Sequence, residues 1–164
     1  MTTVNGEEWI IKFPAHVDGE NAGKMEYDYS CCAKKCGIIM SETRLFPSEN
    51  CEGYFGIKRF DRISDKNGTK RIHMLTAAAL LELNFEQPSL DYHSLMKLTK
   101  ILTRDNEKDM REMFRRMCFN VFAHNRDDHS KNFTYLYDDE KDRWSLSPAY
   151  DLTYSNTYLS LIHI

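Results

Sequence analysis

Apolar residues recur at steps of three and four along one stretch of the chain: Met110, Met113, Phe114, Met117, Cys118, Val121 and Phe122. That period predicts an amphipathic helix whose stripe faces a core. Asn106 stands where an N-cap belongs, and Glu107 and Asp109 suit the positive end of the helix dipole. Helices are also predicted around residues 74–83 and 92–102, the latter with Leu95, Leu98 and Leu102 on one stripe. A further helix over residues 24–36 is stopped by Gly37, as a C-cap glycine stops a helix. Elsewhere the period is two. Residues 54–60 alternate Tyr54, Gly56, Lys58 and Phe60 against Phe55, Ile57 and Arg59 and read as a strand, separated by the turn-rich PSENCEG from another at 42–46. The run WIIKFP at 9–14 is β-prone and closed by proline, with a polar loop at 19–23. Residues 133–137 and 144–146 predict a hairpin with DDEKDR at its tip.

These elements divide into a strand-rich first half and a helical second half, with a solvated turn at 64–69 between them. The expected class is α+β, with units over residues 1–62 and 63–164. A length of 164 residues is about one domain and enough to bury a core. The formal net charge is −3, and Lys and Arg are spread along the chain, which leaves no electrostatic footprint for nucleic acid or an anionic membrane. No apolar run nears the roughly 20 residues of a membrane span. The N-terminus MTTVNGEEWI lacks the layout of a signal peptide, so a cytoplasmic protein without direct nucleic-acid or membrane contacts is expected. Cys31, Cys32, Cys36, Cys51 and Cys118 are odd in number and lack paired two-residue spacing. They read as reduced core residues, not as a disulfide framework or a zinc knuckle. His16, His73, His93 and His163 carry no partner pattern and read as structural.

Candidate chemistry concentrates in NRDDHSKNF, residues 125–133, and SPAYDLTYS, residues 147–155. Asp127 and Asn132 stand five apart. That is the interval at which a kinase catalytic loop places the carboxylate that receives a hydroxyl proton and the amide that holds a magnesium ion. Asp128 stands only four from Asn132, so the spacing selects Asp127. Asp151 supplies a second metal ligand once the intervening hairpin returns the chain to the loop. Lys131 is placed either to face a phosphate or to pair with Asp127 or Asp128. Two other readings use the same residues. A metal-dependent hydrolase would draw ligands from His124, Asp127, Asp128 and His129, whose types suit a transition metal, although consecutive residues on an extended loop diverge. A non-catalytic interaction module would keep the fold and transfer nothing.

The motifs IIKFP near the start, IKRFDR at 57–62, NRDDHSKNF and SPAYDLTYS resemble, in this order and over nearly the whole chain, those of the HipA-like serine/threonine kinases, toxin components of bacterial toxin–antitoxin pairs. The resemblance implies a protein-kinase-like fold, with an incomplete small β-rich lobe joined at residues 58–62 to a mainly helical lobe. It implies magnesium-dependent transfer of the ATP γ-phosphate to a serine or threonine of a protein substrate. By position, Lys12 would contact the nucleotide phosphates and Glu26 would orient it. Lys58, Arg59 and Phe60 would line the hinge around adenine, with Tyr150 also beside the nucleotide. Asp127 is the implied base with Lys131 near it, His129 and Asn132 lie near nucleotide and metal, and Asp151 is the metal-binding aspartate. On spacing alone, Lys12 reads as a solvated edge lysine and Glu26 as an exposed helix carboxylate. Arg59 and Asp61 read as a cross-strand or turn ion pair, worth little if exposed. Family members carry a further N-terminal region with a loop over the ATP phosphates, and further helices after the metal-binding aspartate. The chain therefore reads as the middle of a kinase. Three origins stay open, an incomplete gene, a fragment, or a split protein partnered by a separate N-terminal lobe in trans; a helix-turn-helix antitoxin is the other implied partner.

Overall fold

Asn5 and Gly6 set the first turn of the chain. Their φ angles are 52° and 81°, the pair of positive values that a two-residue type I′ hairpin requires and Asn-Gly adopts readily. The turn joins β1 (Thr2–Val4) to β2 (Glu7–Ile11), with Val4 opposite Glu7. The computed structural model describes residues 2–14, 19–65, 68–83 and 90–155, so His16 and His163 lie outside the described residues. α1 (Ala22–Lys35) follows, then β3 (Thr43–Phe46) and β4 (Tyr54–Lys58). These strands complete an antiparallel sheet in the order β1-β2-β4-β3. The strand expected to reach residue 60 stops at Lys58, which releases Arg59 and Phe60 into a connector.

α1 packs on β3 and β4 and turns Glu26, Ser30 and Ala33 inward. Gly23 permits the approach. A Cβ at Gly23 would collide with the Gly53 carbonyl oxygen and stand 3.0 Å from the Phe55 nitrogen, so a glycine is needed where the helix crosses the chain entering β4. Glu26 lies less than one turn further on. The reading of the cysteines as core residues is corrected: Cys32 and Cys36 are exposed, Cys31, Cys51 and Cys118 are partly buried, and all five thiols are free. The inward positions of α1 belong to other residues, so its thiols fall outside the core.

β5 (Arg62–Asp65) and β6 (Gly68–Arg71) pair as a hairpin where a solvated turn at 64–69 was expected. β7 (Met74–Thr76) lies beside β8 (Thr134–Asp138), which pairs in turn with β9 (Arg143–Leu146), giving a three-stranded antiparallel sheet. The expected hairpin at 133–146 is therefore present. The helix expected over 74–83 shrinks to α2 (Ala77–Leu80), because residues 74–76 are taken into the ladder with β8 and Thr76 caps what remains, its Oγ1 accepting the Ala79 N–H at 3.1 Å. α3 (Tyr92–Leu102) and α4 (Glu107–Phe122) pack together against this sheet. Their shared core contains Leu95, Met113, Phe133, Tyr135 and Leu146.

α4 begins where its cap predicts: the Asn106 side chain accepts the N–H groups of Lys108 and Asp109 at 3.1 and 3.2 Å. Its inward face is not the expected one. Of the seven apolar stripe residues only Met113 is buried, while Phe114 and Phe122 are exposed. The buried positions are Asp109, Glu112, Met113, Arg116, Phe119 and Asn120. Polar groups enter because each finds partners. Glu112 accepts Arg116 Nε and the Ile39 N–H, both at 3.0 Å, and the Arg116 guanidinium donates to the Ser147 carbonyl at 2.5 Å. This satisfies buried charges that would otherwise be strongly destabilising, and it ties α4 to residues 39 and 147. A second core cluster of Ala33, Ile38, Phe119, Ala149 and Leu152 joins α1 to α4, and the Ala149 N–H donates to the Ile39 carbonyl at 2.7 Å. Residues 147–152 are thus held beside the N-terminal sheet and α1. No helix among the described residues is long and apolar enough to cross a membrane.

Candidate active site

Lys12 leaves the end of β2 with its N–H bonded to the Phe55 carbonyl at 2.9 Å. Its ammonium donates to Glu26 Oε1 at 2.6 Å and, on the other side, to the carboxylate of Asp151. Burial alone would lower the Lys12 pKa, but Glu26 and Asp151 outweigh it and raise the value above that of an ordinary lysine. Burial also pushes the Glu26 carboxyl upward, with Lys12 opposing. The solvated-edge reading of Lys12 and the exposed-carboxylate reading of Glu26 are therefore both corrected: Glu26 is 9% exposed and faces the lysine. Asp151 has φ 57°, in the left-handed region that aspartate tolerates better than most residues.

From this trio an apolar cleft runs toward the connector after β4. Ile10, Phe55, Ile57 and Met74 wall it, with Lys12, Glu26, Lys58, Arg59, Phe60, Tyr150 and Asp151 around the same space. Ile10 and Ile57 face each other across the β2–β4 ladder. The Phe60 and Tyr150 rings lie 5.7 Å apart at the connector end. Seven of the eleven residues singled out by sequence thus line one cleft. Ile10, Phe55, Ile57 and Met74 were missed, although the alternation of β4 already placed Phe55 and Ile57 on one face.

The connector is braced from behind. Arg59 grips Asp61 through Nε at 2.8 Å and Nη2 at 2.5 Å, and Arg62 adds a contact to the same carboxylate. The Arg59–Asp61 ion pair read from the sequence is present, and it is not exposed: the Asp61 side chain is only 8% exposed. Burial would raise its pKa, but the Arg59 bonds and the charges of both arginines hold it below the ordinary carboxylate value. A carboxyl depressed by folding stabilises the protein above its unfolded pKa of about 3.9, and that contribution is lost as pH falls through the folded value. Asp61→Asn should therefore lower the melting temperature at pH 7, with the gap to wild type narrowing below about pH 4. A gap that does not change with pH would show that the charge network does not hold the connector.

Asp127, His129, Lys131 and Asn132 occupy the adjoining loop rather than the cleft wall. Asp127 is partly exposed, and His129 Nε2 stands 3.8 Å from its carboxylate. Burial raises the Asp127 pKa; His129 opposes, while Asp151 and Asp128 add to the rise, so the loop lies within electrostatic reach of the Lys12 trio. The Asn132 amide nitrogen donates to the Asp127 carbonyl at 2.8 Å, from a 3-10 turn over Ser130–Asn132. The Lys131 side chain is exposed, and its carbonyl accepts the Tyr150 hydroxyl at 2.6 Å. Tyr150 thereby links the cleft to the loop. The hydrolase constellation does not assemble. Asp128 turns into the interior against Tyr92, and among the described residues no group of three or more His, Cys, Asp or Glu comes together to hold a metal ion.

Comparison with known proteins identifies the family and the fold. The family model of the HipA-like C-terminal domain matches residues 1–163. The chain belongs to that family. A HipA-like chain of this kind is also similar to a Sinorhizobium fredii protein named "Putative kinase Y4dM", 25% identical over 94% of this chain and 39% of the relative. The HipA structure from a Shewanella oneidensis MR-1 toxin–antitoxin complex with HipB and operator DNA shares the fold at TM-score 0.74 and 17% identity, covering 89% of this chain and 37% of that one. The Helicobacter pylori proinflammatory kinase CtkA does so at TM-score 0.68 and 16% identity, covering 90% and 51%. The α+β, kinase-like class is thereby established, and the chain spans about two fifths of the curated relative's length.

Proposed function

We propose that this chain is the nucleotide-binding and phosphoryl-transfer core of a serine/threonine protein kinase that uses ATP and Mg2+. The observation that carries the reading is the seat of Lys12, held between Glu26 and Asp151 at one end of an apolar cleft whose other end is the connector at Arg59 and Phe60. Such a cleft suits a flat heterocycle at its apolar end and a polyphosphate at its charged end. Phosphoryl transfer needs little covalent help from the protein, so alignment and charge neutralisation dominate. Lys12 would meet the phosphates while Glu26 keeps it in place. Asp127 would accept the proton of the acceptor hydroxyl.

The residues present fit magnesium. Asp151 offers a carboxylate, and Asn132, whose nitrogen is engaged by Asp127, offers its amide oxygen. Magnesium is commonly held by one or two carboxylates together with substrate phosphates, so a dedicated protein cage is not required. When bound, the ion would neutralise charge on the phosphates. Lys12 would then pass from Asp151 to the nucleotide.

The Shewanella HipA structure contains HipB and operator DNA. By that likeness we infer a role in a bacterial toxin module, with a helix-turn-helix antitoxin as partner, a protein substrate and a cytoplasmic location. Thermal melting tests the nucleotide site. Mg-ATP at 100 times its Kd should stabilise the chain by about 2.7 kcal/mol, with adenosine alone giving a smaller shift. A folded chain whose melting is unmoved by Mg-ATP would favour the non-catalytic interaction module.

A further inference from the structure

Asp127 is held by its main chain at both ends. Its N–H donates to Asn125 Oδ1 at 3.3 Å, and its carbonyl accepts Asn132 Nδ2 at 2.8 Å. Asn125 is itself buried at 1% exposure and donates through Nδ2 to Asn120 Oδ1 at 3.1 Å. Asn120, on α4, donates through its own Nδ2 to the Tyr92 hydroxyl at 2.9 Å. Tyr92, the first residue of α3, donates to Asp128 Oδ2 at 2.5 Å. The bonds therefore leave the loop at Asn125, pass through both helices and return at Asp128. They form a closed polar circuit through the interior around the residue whose carboxylate faces outward.

The circuit is dear for a fold to keep. Asp128 and Asn120 are each 1% exposed, and a buried carboxylate is destabilising unless it is paired and bonded. An apolar pair at 92 and 128 would fill the space without that penalty, since the Tyr92 ring already packs edge-on against Phe133 at 6.0 Å. What the hydroxyl and carboxylate add is direction. A satisfied buried network allows one arrangement where apolar packing allows several, and a base must be held within about 0.5 Å of its productive position.

We propose that Tyr92, Asn120, Asn125 and Asp128 are positioning residues for Asp127, fixing the loop from which its carboxylate meets the acceptor hydroxyl. This rests on the kinase reading for its catalytic consequence, but the geometric claim stands apart from it. Tyr92→Phe removes one oxygen from the circuit and keeps the ring. Hydrogen exchange of the loop amides 125–132, read by peptide mass spectrometry, should rise about 10-fold or more while α4 stays protected. In a phosphotransfer assay kcat should fall about 100-fold, the scale expected of a misplacement near 1 Å, with KM for ATP unchanged. With Tyr92 intact, Asp128→Asn retains an oxygen that accepts from the Tyr92 hydroxyl and should hold both readouts close to wild type, whereas Asp128→Leu should show the losses of Tyr92→Phe.

If Tyr92→Phe destabilises the whole chain, Asn125→Asp serves in its place: it keeps the acceptor for the Asp127 N–H and loses the donor to Asn120, with the same outcome expected. Loop exchange unchanged in a folded variant overturns the proposal, as does a parallel loss in Asp128→Asn and Asp128→Leu. A wild-type chain that transfers no phosphate but shows the exchange response overturns the kinase reading alone and upholds the positioning circuit.

Discussion

Asp127→Asn should lower phosphoryl transfer by about 10²- to 10⁴-fold, the range that a positioned general base contributes. The substitution keeps size and shape and removes only the ability to take a proton. Its backbone bonds to Asn125 and Asn132 do not involve the carboxylate, so the loop should keep its form. Asp127 lines no part of the apolar cleft, and Mg-ATP binding should stay within a factor of about two, which places the loss in kcat. Asp128→Asn gives the contrast. That side chain is 1% exposed and faces Tyr92, not solvent, so it has no route to an acceptor hydroxyl, and the variant should retain transfer. A similar loss in both variants would show that the loop responds to charge in general and that Asp127 has no special part. The experiment is single-turnover transfer beside nucleotide binding for both proteins.

Lys12→Met should remove most nucleotide affinity and also weaken the fold. Lys12 is the cation between Glu26 and Asp151, and without it two carboxylates face one another across a site in which Glu26 is largely buried. Breaking a buried ion pair costs about 3–5 kcal/mol. The lysine side chain is 40% exposed, so solvent screening brings the expected loss to about 3 kcal/mol or less. Loss of the charged contact to phosphate should weaken ATP binding by about 10- to 100-fold, as a charge-assisted bond worth about 1.5–3 kcal/mol implies. The two effects separate in a double variant. Lys12→Met with Glu26→Gln removes the uncompensated buried charge and should recover melting temperature, yet it cannot recover the phosphate contact. Affinity restored together with stability would mean that Lys12 acts only as a structural counter-ion. Melting curves and ATP titrations on the three proteins decide between these outcomes.

Local signals were readable in the chain wherever the physics is local. The Asn106 cap, the 92–102 helix and the 133–146 hairpin depend on neighbouring residues, and their patterns show it. Asn5-Gly6 was an equally local turn signal, but the three-residue β1 it opens is too short for alternation to register. The inward face of α4 was hidden for the opposite reason. Hydropathy sends Glu112, Arg116 and Asn120 to the surface, and only partners distant in sequence, at Ile39, Ser147 and Tyr92, make their burial favourable. Met74 to Thr76 likewise carry helix-compatible neighbours and become a strand because β8 is there to pair. At the site, the family resemblance pointed to Lys12, Glu26 and Asp151 together, whereas spacing alone favoured exposed readings for the first two. The apolar wall Met74 lies in no motif, and the Tyr92–Asp128 bond joins α3 to the loop across the interior, so neither was visible in any window of the chain.

The central claim is a magnesium-dependent nucleotide site built on Lys12, Glu26 and Asp151, and calorimetric titration of ATP with and without Mg2+, for wild type and Asp151→Ala, tests it most directly. Saturable binding to wild type that requires magnesium and is lost in Asp151→Ala is the predicted result. Absence of binding to a folded wild-type chain, or binding that neither magnesium nor Asp151 affects, would contradict it.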